Sequence, residues 1–328
     1  MSRGVALAHP NIALAKYWGK RGRPGNYPAV PSLSVTLSGM STRTSVLLEG
    51  SLGADVLVLN GHEAHGEPLA RTTELLDRLR VASGETRRAR VESSNDFPTA
   101  SGLASSASGF AALALAAAHA MNLSWDVARI SDAARRSSAS AARSLFGGFV
   151  HLGAGATEGP ESDVLSARPV APETQLDVRV LVCVTSEAEK DVSSRDGMNR
   201  TAKDSPYYAA WLTDAETVCA ELERALLAKD LERVGALTER STFAMHASAF
   251  AAGVRYMRAA TLEVLDAVGS LRRGGLATWA TMDAGPHVKV LVATPDAARA
   301  RNSLASVPGV LRILETAPGP GARLVEGS

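Results

Sequence analysis

Two cysteines in 328 residues, Cys183 and Cys219, rule out a disulfide framework and have no metal-like spacing. That scarcity points to a reducing, cytoplasmic setting. The seven histidines show no ligand spacing either, so no transition-metal site is expected. An excess of one charge sign is also missing. Thirty-five basic against 34 acidic side chains leave a net charge of +1 and no basic face for nucleic acid. The short "TRRAR" at 86–90 reads as the solvated start of a strand. Long apolar runs are absent too. The longest, around 110–118, falls well short of a membrane span, and "MSRGVALAHP" lacks the apolar core of a signal peptide. No internal repeat or low-complexity segment occurs.

The sequence that is present suits a globular chain of two domains. "SLSVTL" (32–37), "RTSVLLE" (43–49) and "DVLVLNG" (55–61) read as strands. "EPLARTTELLDRLRVAS" (67–83) places Leu69, Leu75, Leu76 and Leu79 on one helical face, and "RARVESS" returns to a strand. A helix is expected over 103–121, and a second helical region over 124–146 opening on a serine cap. "GGFVHL" and "LDVRVLVCVTS" read as strands, and the junction between domains is expected near residue 185. The remainder reads as mainly helical over 204–268. Two strands then flank "DAGP", followed by a short helix (296–304), a last strand "GVLRILE" and loose final residues. The pattern is α+β.

"PTASGLASSASGF" (98–110) packs small and hydroxylated residues ahead of an alanine-rich helix. Unpaired N–H groups and the helix dipole there suit an anion, and Gly102 permits close approach, which makes a phosphate cradle. A small-residue helix packed tightly on a sheet explains the composition equally well. Neither a Walker loop nor a dinucleotide fingerprint is present.

The pattern P-x-x-x-G-L-x-S-S-A resembles the ATP-binding loop of the galactokinase, homoserine kinase and mevalonate kinase superfamily. "NIALAKYWGKR" (11–21), "RSSASAARSLFGGFV" (136–150), "KDVSSRDGM" (190–198) and "TMDAGP" (281–286) are similar, in order, to segments of the mevalonate diphosphate decarboxylases. The resemblance implies a two-domain small-molecule kinase fold. Residues 1–185 would form a ribosomal protein S5 domain 2-like ATP-binding domain, and 186–328 a ferredoxin-like α+β domain carrying the catalytic aspartate. It implies ATP with Mg2+, mevalonate 5-diphosphate as substrate and a homodimer, while the cysteine usage, charge balance and short apolar runs point to a cytoplasmic location with no nucleic-acid or membrane partner.

The resemblance also implies roles for particular residues. Asp283 faces the substrate 3-hydroxyl, Lys16 the transferring charge and Arg143 the carboxylate. Tyr17, Lys20, Ser138, Ser140, Ser194 and Arg195 bind the substrate, with Lys190 along the same wall. Asn95, Pro98, Gly102, Leu103, Ala104, Ser105, Ser106 and Ser108 hold the nucleotide, and Ser106 meets the metal ion. Read without the resemblance, Asp283 is equally a turn residue capping its own backbone, Arg143 a surface-paired helix arginine, and the lysines solvated charge. Trp18 and His246 read as packing residues.

Such an enzyme must turn a tertiary hydroxyl into a leaving group, so it needs a base, cations and a carboxylate anchor. Three readings follow: a mevalonate 5-diphosphate decarboxylase, a relative that acts on mevalonate 5-phosphate or only phosphorylates the 3-hydroxyl, and a silent nucleotide binder. The sequence departs from many relatives in Pro31, Ala142 and His287, and His287 lies close enough to Asp283 in sequence to alter its environment.

Overall fold

The computed structural model describes residues 2–97, 105–160, 163–188 and 191–326. The chain begins with β1 (Arg3–Ala8), β2 (Asn11–Ala15), β3 (Ser32–Thr36), β4 (Thr42–Glu49), β5 (Val56–Leu59) and β6 (His62–Ala64). Helix α1 (Glu67–Ser83) leads to β7 (Arg88–Asn95), α2 (Ser105–Ala120), α3 (Val127–Ser137), a 3-10 helix (Ala139–Leu145), β8 (Phe149–Leu152), β9 (Ala167–Ala171) and β10 (Val178–Val184). Helices α4 (Ser194–Asp204), α5 (Tyr208–Leu227), α6 (Leu231–Ala251) and α7 (Ala259–Arg273) follow. The chain closes with β11 (Thr278–Thr281), β12 (Val288–Ala293), α8 (Ala297–Ala305), β13 (Arg312–Thr316) and β14 (Arg323–Leu324).

The architecture is α+β, built on three sheets of order β14-β1-β4-β7-β5-β6, β2-β3-β8-β9 and β11-β12-β10-β13. The alanines of α2 have a geometric cause. The helix lies so flat on β1 that a Cβ at Gly4 would overlap the Ala116 carbonyl. Larger residues at Ala112 or Ala116, both fully buried, would lift the helix away. α1 keeps Leu75, Leu76 and Leu79 buried and ends at Gly84, whose φ of 73° suits a left-handed cap.

Two expectations are corrected. The helical region after α2 is capped by Asp126, whose carboxylate accepts the Arg129 N–H at 2.8 Å. It also breaks at Ser138, which is extended, before tightening into the 3-10 helix. The junction expected near residue 185 would cut a sheet, because β10 pairs with β12 on one side and β13 on the other. The sheets instead divide between β9 and β10. Near the C-terminus, β14 pairs with β1.

One apolar cluster spans that division. Ile12, Leu14, Leu33 and Val35 pack with Val180, Val182, Leu222, Leu237 and Leu291. α6 crosses this region closely, and a Cβ at Gly235 would overlap the Trp279 ring. β2, buried along its whole length, is thereby held between the two halves and delivers the residues that follow it into a cleft.

Candidate active site

A cavity of about 700 Å³ is lined by β2, α1, the first turn of α2, the 3-10 helix, α4 and the turn after β11. Asp283 lies in that turn. The Gly285 N–H donates back to the Asp283 carbonyl at 2.8 Å, so the chain reverses and leaves the carboxylate on the cavity wall. Lys16 Nζ donates to Asp283 Oδ1 at 2.9 Å and to the Ala13 carbonyl at 2.8 Å. Lys289 Nζ donates to the other oxygen, Oδ2, at 3.1 Å. Both lysine side chains are buried, while that of Asp283 is 28% exposed.

Burial alone would raise the Asp283 carboxyl. The charges of Lys16 and Lys289, with their hydrogen bonds, overcome that and hold it well below the usual carboxylate range. Burial lowers Lys16 to about 8 despite Asp283, with Lys289 and Arg143 adding repulsion.

Arg143 enters from the 3-10 helix and is 2% exposed. Its Nη1 donates to Ser32 Oγ at 2.7 Å, and its Nε to Ser34 Oγ at 3.0 Å and Asn11 Oδ1 at 3.4 Å. Ser32 and Ser34 are two apart on β3 and therefore share a face. Asn11 is fixed in turn through its Nδ2 to the Ser140 carbonyl and to Ser144 Oγ. No carboxylate among the described residues forms an ion pair with Arg143, and burial lowers it to about 10. Such a buried cation is costly until an anion arrives.

A second group of cations, Lys20, Arg71 and Arg195, also lines the cavity. Lys20 donates to Asn26 Oδ1 at 2.6 Å. Burial lowers it to about 8, with Arg195 and Arg71 repelling it further. Arg71, on α1, donates to the Ser137 carbonyl at 2.9 Å and lies over the Phe110 ring. Ser138 and Ser140 bring their hydroxyls within 3.2 Å of each other. The Tyr17 hydroxyl is buried with no hydrogen-bond partner among the described residues, and burial pushes its pKa up.

α4 carries Ser194 and Arg195 to this wall, and its seat is aromatic. The Tyr256 hydroxyl donates to the Ser193 carbonyl at 3.1 Å, and its ring stands edge-on to Trp18 at 5.9 Å. A Cβ at Gly197 would overlap the Tyr256 hydroxyl and lie 3.0 Å from Trp18. Glycine is what lets the helix sit this low.

At the remaining end, Ser105 and Ser106 line the cavity from the first turn of α2. Ser108, expected beside the nucleotide, is fully buried, its hydroxyl 2.6 Å from Thr42 Oγ1. Asn95 accepts from the same Thr42 hydroxyl at 2.5 Å and does not line the cavity. Pro98, Gly102, Leu103, Ala104 and Lys190 lie outside the described residues.

Residues 8–165 match the model of the diphosphomevalonate decarboxylase-like N-terminal domain, and 180–313 that of the mevalonate 5-diphosphate decarboxylase C-terminal domain. Diphosphomevalonate decarboxylase mvd1 of Aspergillus fumigatus is 36% identical over 312 residues, covering 88% of this chain and 76% of its own. The chain belongs to the diphosphomevalonate decarboxylase family. Phosphomevalonate decarboxylase of Haloferax volcanii is 33% identical, with 82% of each chain covered. Among solved structures, MDDEF in complex with MVAPP, AMPPCP and magnesium superposes with a TM-score of 0.91 at 36% identity, covering 99% of both chains.

Of the residues singled out by resemblance to the diphosphomevalonate decarboxylases, the cavity gathers Lys16, Tyr17, Lys20, Ser105, Ser106, Ser138, Ser140, Arg143, Ser194, Arg195 and Asp283. Sequence reasoning missed Asn11, Ser32, Ser34, Arg71 and Lys289. Paired serines two apart in a fully buried strand, and one lysine inside "VKVLVA", were the available signals. His287, which departs from many relatives, is 1% exposed and accepts the Thr185 N–H at 3.2 Å. The charges that set the Asp283 carboxyl come from Lys16 and Lys289.

Proposed function

We propose that this chain catalyses the ATP-dependent decarboxylation of mevalonate 5-diphosphate to isopentenyl diphosphate, ADP, phosphate and CO2. The observation that carries it is the division of cations around one carboxylate. Lys16 and Arg143 act on the charge of Asp283, while Lys20, Arg71 and Arg195, on the same cavity, act on one another. A substrate with a carboxylate and hydroxyl at one end and a polyanion at the other fits that division.

Asp283, kept ionised, accepts the hydrogen bond of the 3-hydroxyl and directs its oxygen at the phosphorus. So acidic a carboxyl is a weak base, so the proton passes from the oxygen to Asp283 late, as the new P–O bond forms. The bond from phosphorus to ADP breaks in the same transfer, and Lys16 offsets the charge on the moving group. Phosphate then leaves C3 with its bonding pair, the C1–C2 pair becomes the double bond, and CO2 departs. Arg143 holds the carboxylate through this step.

Ser105 and Ser106, at a helix N-terminus on the cavity, suit the phosphates of ATP. Among the described residues no group of three or more His, Cys, Asp or Glu suits a metal ion. Magnesium would therefore be held mainly by phosphate oxygens, with Ser106 as the protein ligand. The similar structure that contains MVAPP, AMPPCP and magnesium supports both groups.

The Haloferax volcanii relative makes a monophosphate the second reading. Three mutually repelling cations favour the diphosphate, since two phosphates neutralise what one leaves in excess. Measuring CO2 and ADP with mevalonate, its monophosphate and its diphosphate separates the readings. CO2 from the diphosphate at no better kcat/KM than from the monophosphate overturns the first. Asp283→Asn is expected to lower turnover about 1000-fold, and turnover within a few-fold of the parent defeats the proposed role.

We place the enzyme in the cytoplasm as a homodimer. No described helix is long and apolar enough to cross a membrane. Phe243 and Phe250, exposed two turns apart on α6, offer an apolar surface for pairing, which sedimentation tests.

A further inference from the structure

Among the described residues, Lys289 is the one ion-pair partner of Asp283 that does not line the cavity. It projects from the buried strand β12, flanked by Val288 and Val290, and stands opposite Thr281 in the ladder with β11. Its side chain is 2% exposed. A strand this apolar would accept methionine there without a charge to bury. Asp283 already has Lys16 as an ion-pair partner, so the second ammonium exceeds what neutrality requires.

The division of labour follows from which oxygen each lysine holds. Lys289 keeps Oδ2 from behind, and Lys16 holds Oδ1 from the cavity side. With Lys16 as its only partner, Asp283 would be stranded whenever an incoming phosphoryl group drew Lys16 away. With Lys289 in place, Lys16 can turn to that group while the carboxylate stays ionised and oriented.

We propose that Lys289 is a positioning residue for phosphoryl transfer, anchoring Asp283 so that Lys16 is free to follow the transferring group. This rests on the reaction proposed above. Lys289 touches no reactant, so its effect must appear through Asp283 and Lys16. The charged and titratable groups around Asp283 are Lys16 after β2, Lys289 on β12, Arg143 on the 3-10 helix and His246 on α6.

The test uses the full chain with Lys289→Met and Lys289→Arg. Lys289→Met is expected to lower kcat about 30-fold, with KM for mevalonate 5-diphosphate within about threefold, because the lost contact acts on the transition state. The acid limb of its kcat/KM profile should move up as Asp283 loses a cation. Lys289→Arg keeps the charge and should restore most of both. Turnover within about threefold of the parent and an unmoved acid limb in Lys289→Met overturn the proposal. So does a Lys289→Arg variant as impaired as Lys289→Met, which would mark a packing role. Should Lys289→Met fail to fold, Lys289→Gln takes its place.

Titration of the Asp283 carboxyl by carbon NMR in ligand-free protein requires no turnover. A raised midpoint in the neutral variant supports the anchor, and an unchanged one removes it. A parent protein that releases no CO2 from mevalonate 5-diphosphate overturns the proposed reaction instead.

Discussion

Arg143 and Ser32 are joined by a 2.7 Å hydrogen bond inside the protein, and no carboxylate among the described residues completes the guanidinium's charge. Hydroxyls orient this cation without neutralising it. Its stability cost and its function therefore separate, and substitution should expose both. Arg143→Met is expected to lower kcat/KM about 100-fold or more while leaving the melting temperature unchanged or higher. Parallel CO2 assays and thermal melts check the pair of outcomes.

Gly197 and Tyr256 give a second separation. Gly197→Ala places a methyl against the Tyr256 hydroxyl and lifts the first turn of α4. Stability should fall by roughly 1–3 kcal/mol, as for other overpacked sites. KM for the substrate should rise more than kcat falls, because Ser194 and Arg195 move with the helix. Adding Tyr256→Phe removes the overlapping oxygen and should recover part of both losses. A double-mutant cycle on KM and melting temperature is the check.

The basic side of the pH profile follows from Lys16 and Lys20, both lowered to about 8 by burial. Since kcat/KM reports the free enzyme, it should decline above about pH 8 as the two ammonium groups lose protons. Lys20→Arg should leave one titrating group and a shallower decline. Stability moves the opposite way. A lysine with its folded pKa below 10.5 binds fewer protons folded than unfolded, so the cost of burying its charge is relieved between about pH 8 and 10.5. Denaturant melts across that range would show it.

His246 sets an acid limit on stability. Burial, with Lys16 next, lowers it to about 4. Unfolded chains take up that proton near the ordinary histidine value of 6.5, so stability should fall as pH drops from 6.5 towards 4. His246→Gln should flatten the decline in that window. Asp283 contributes on the acid side of it, since its depressed carboxyl stabilises the fold above its unfolded value of 3.8.

Some of this molecule was written plainly in its residues. α1 runs Glu67–Ser83 as the leucine periodicity indicated, because Pro68 and Gly84 fix its ends and Leu75, Leu76 and Leu79 its face. β1 and β2 were not legible. "RGVALA" and "NIALA" carry two alanines each, lack the β-branched alternation of a strand, and are covered by α2 and α6. Ser105, Ser106 and Ser108 look alike in a run of small residues, yet helical geometry turns the last toward Thr42 and away from the cavity. Lys289 depends on a register between two strands, which no local pattern states. Arg143 was legible only through resemblance, since its partners lie more than 100 positions away.

The apolar cluster shared by β2, β3, β10, α5 and α6 has its own consequence. Neither half retains a complete interior when separated from the other, so cutting the chain between β9 and β10 should yield two insoluble pieces. Heating the intact protein should melt both halves in a single step. A pocket assembled across such a seam exists only while the entire chain is folded.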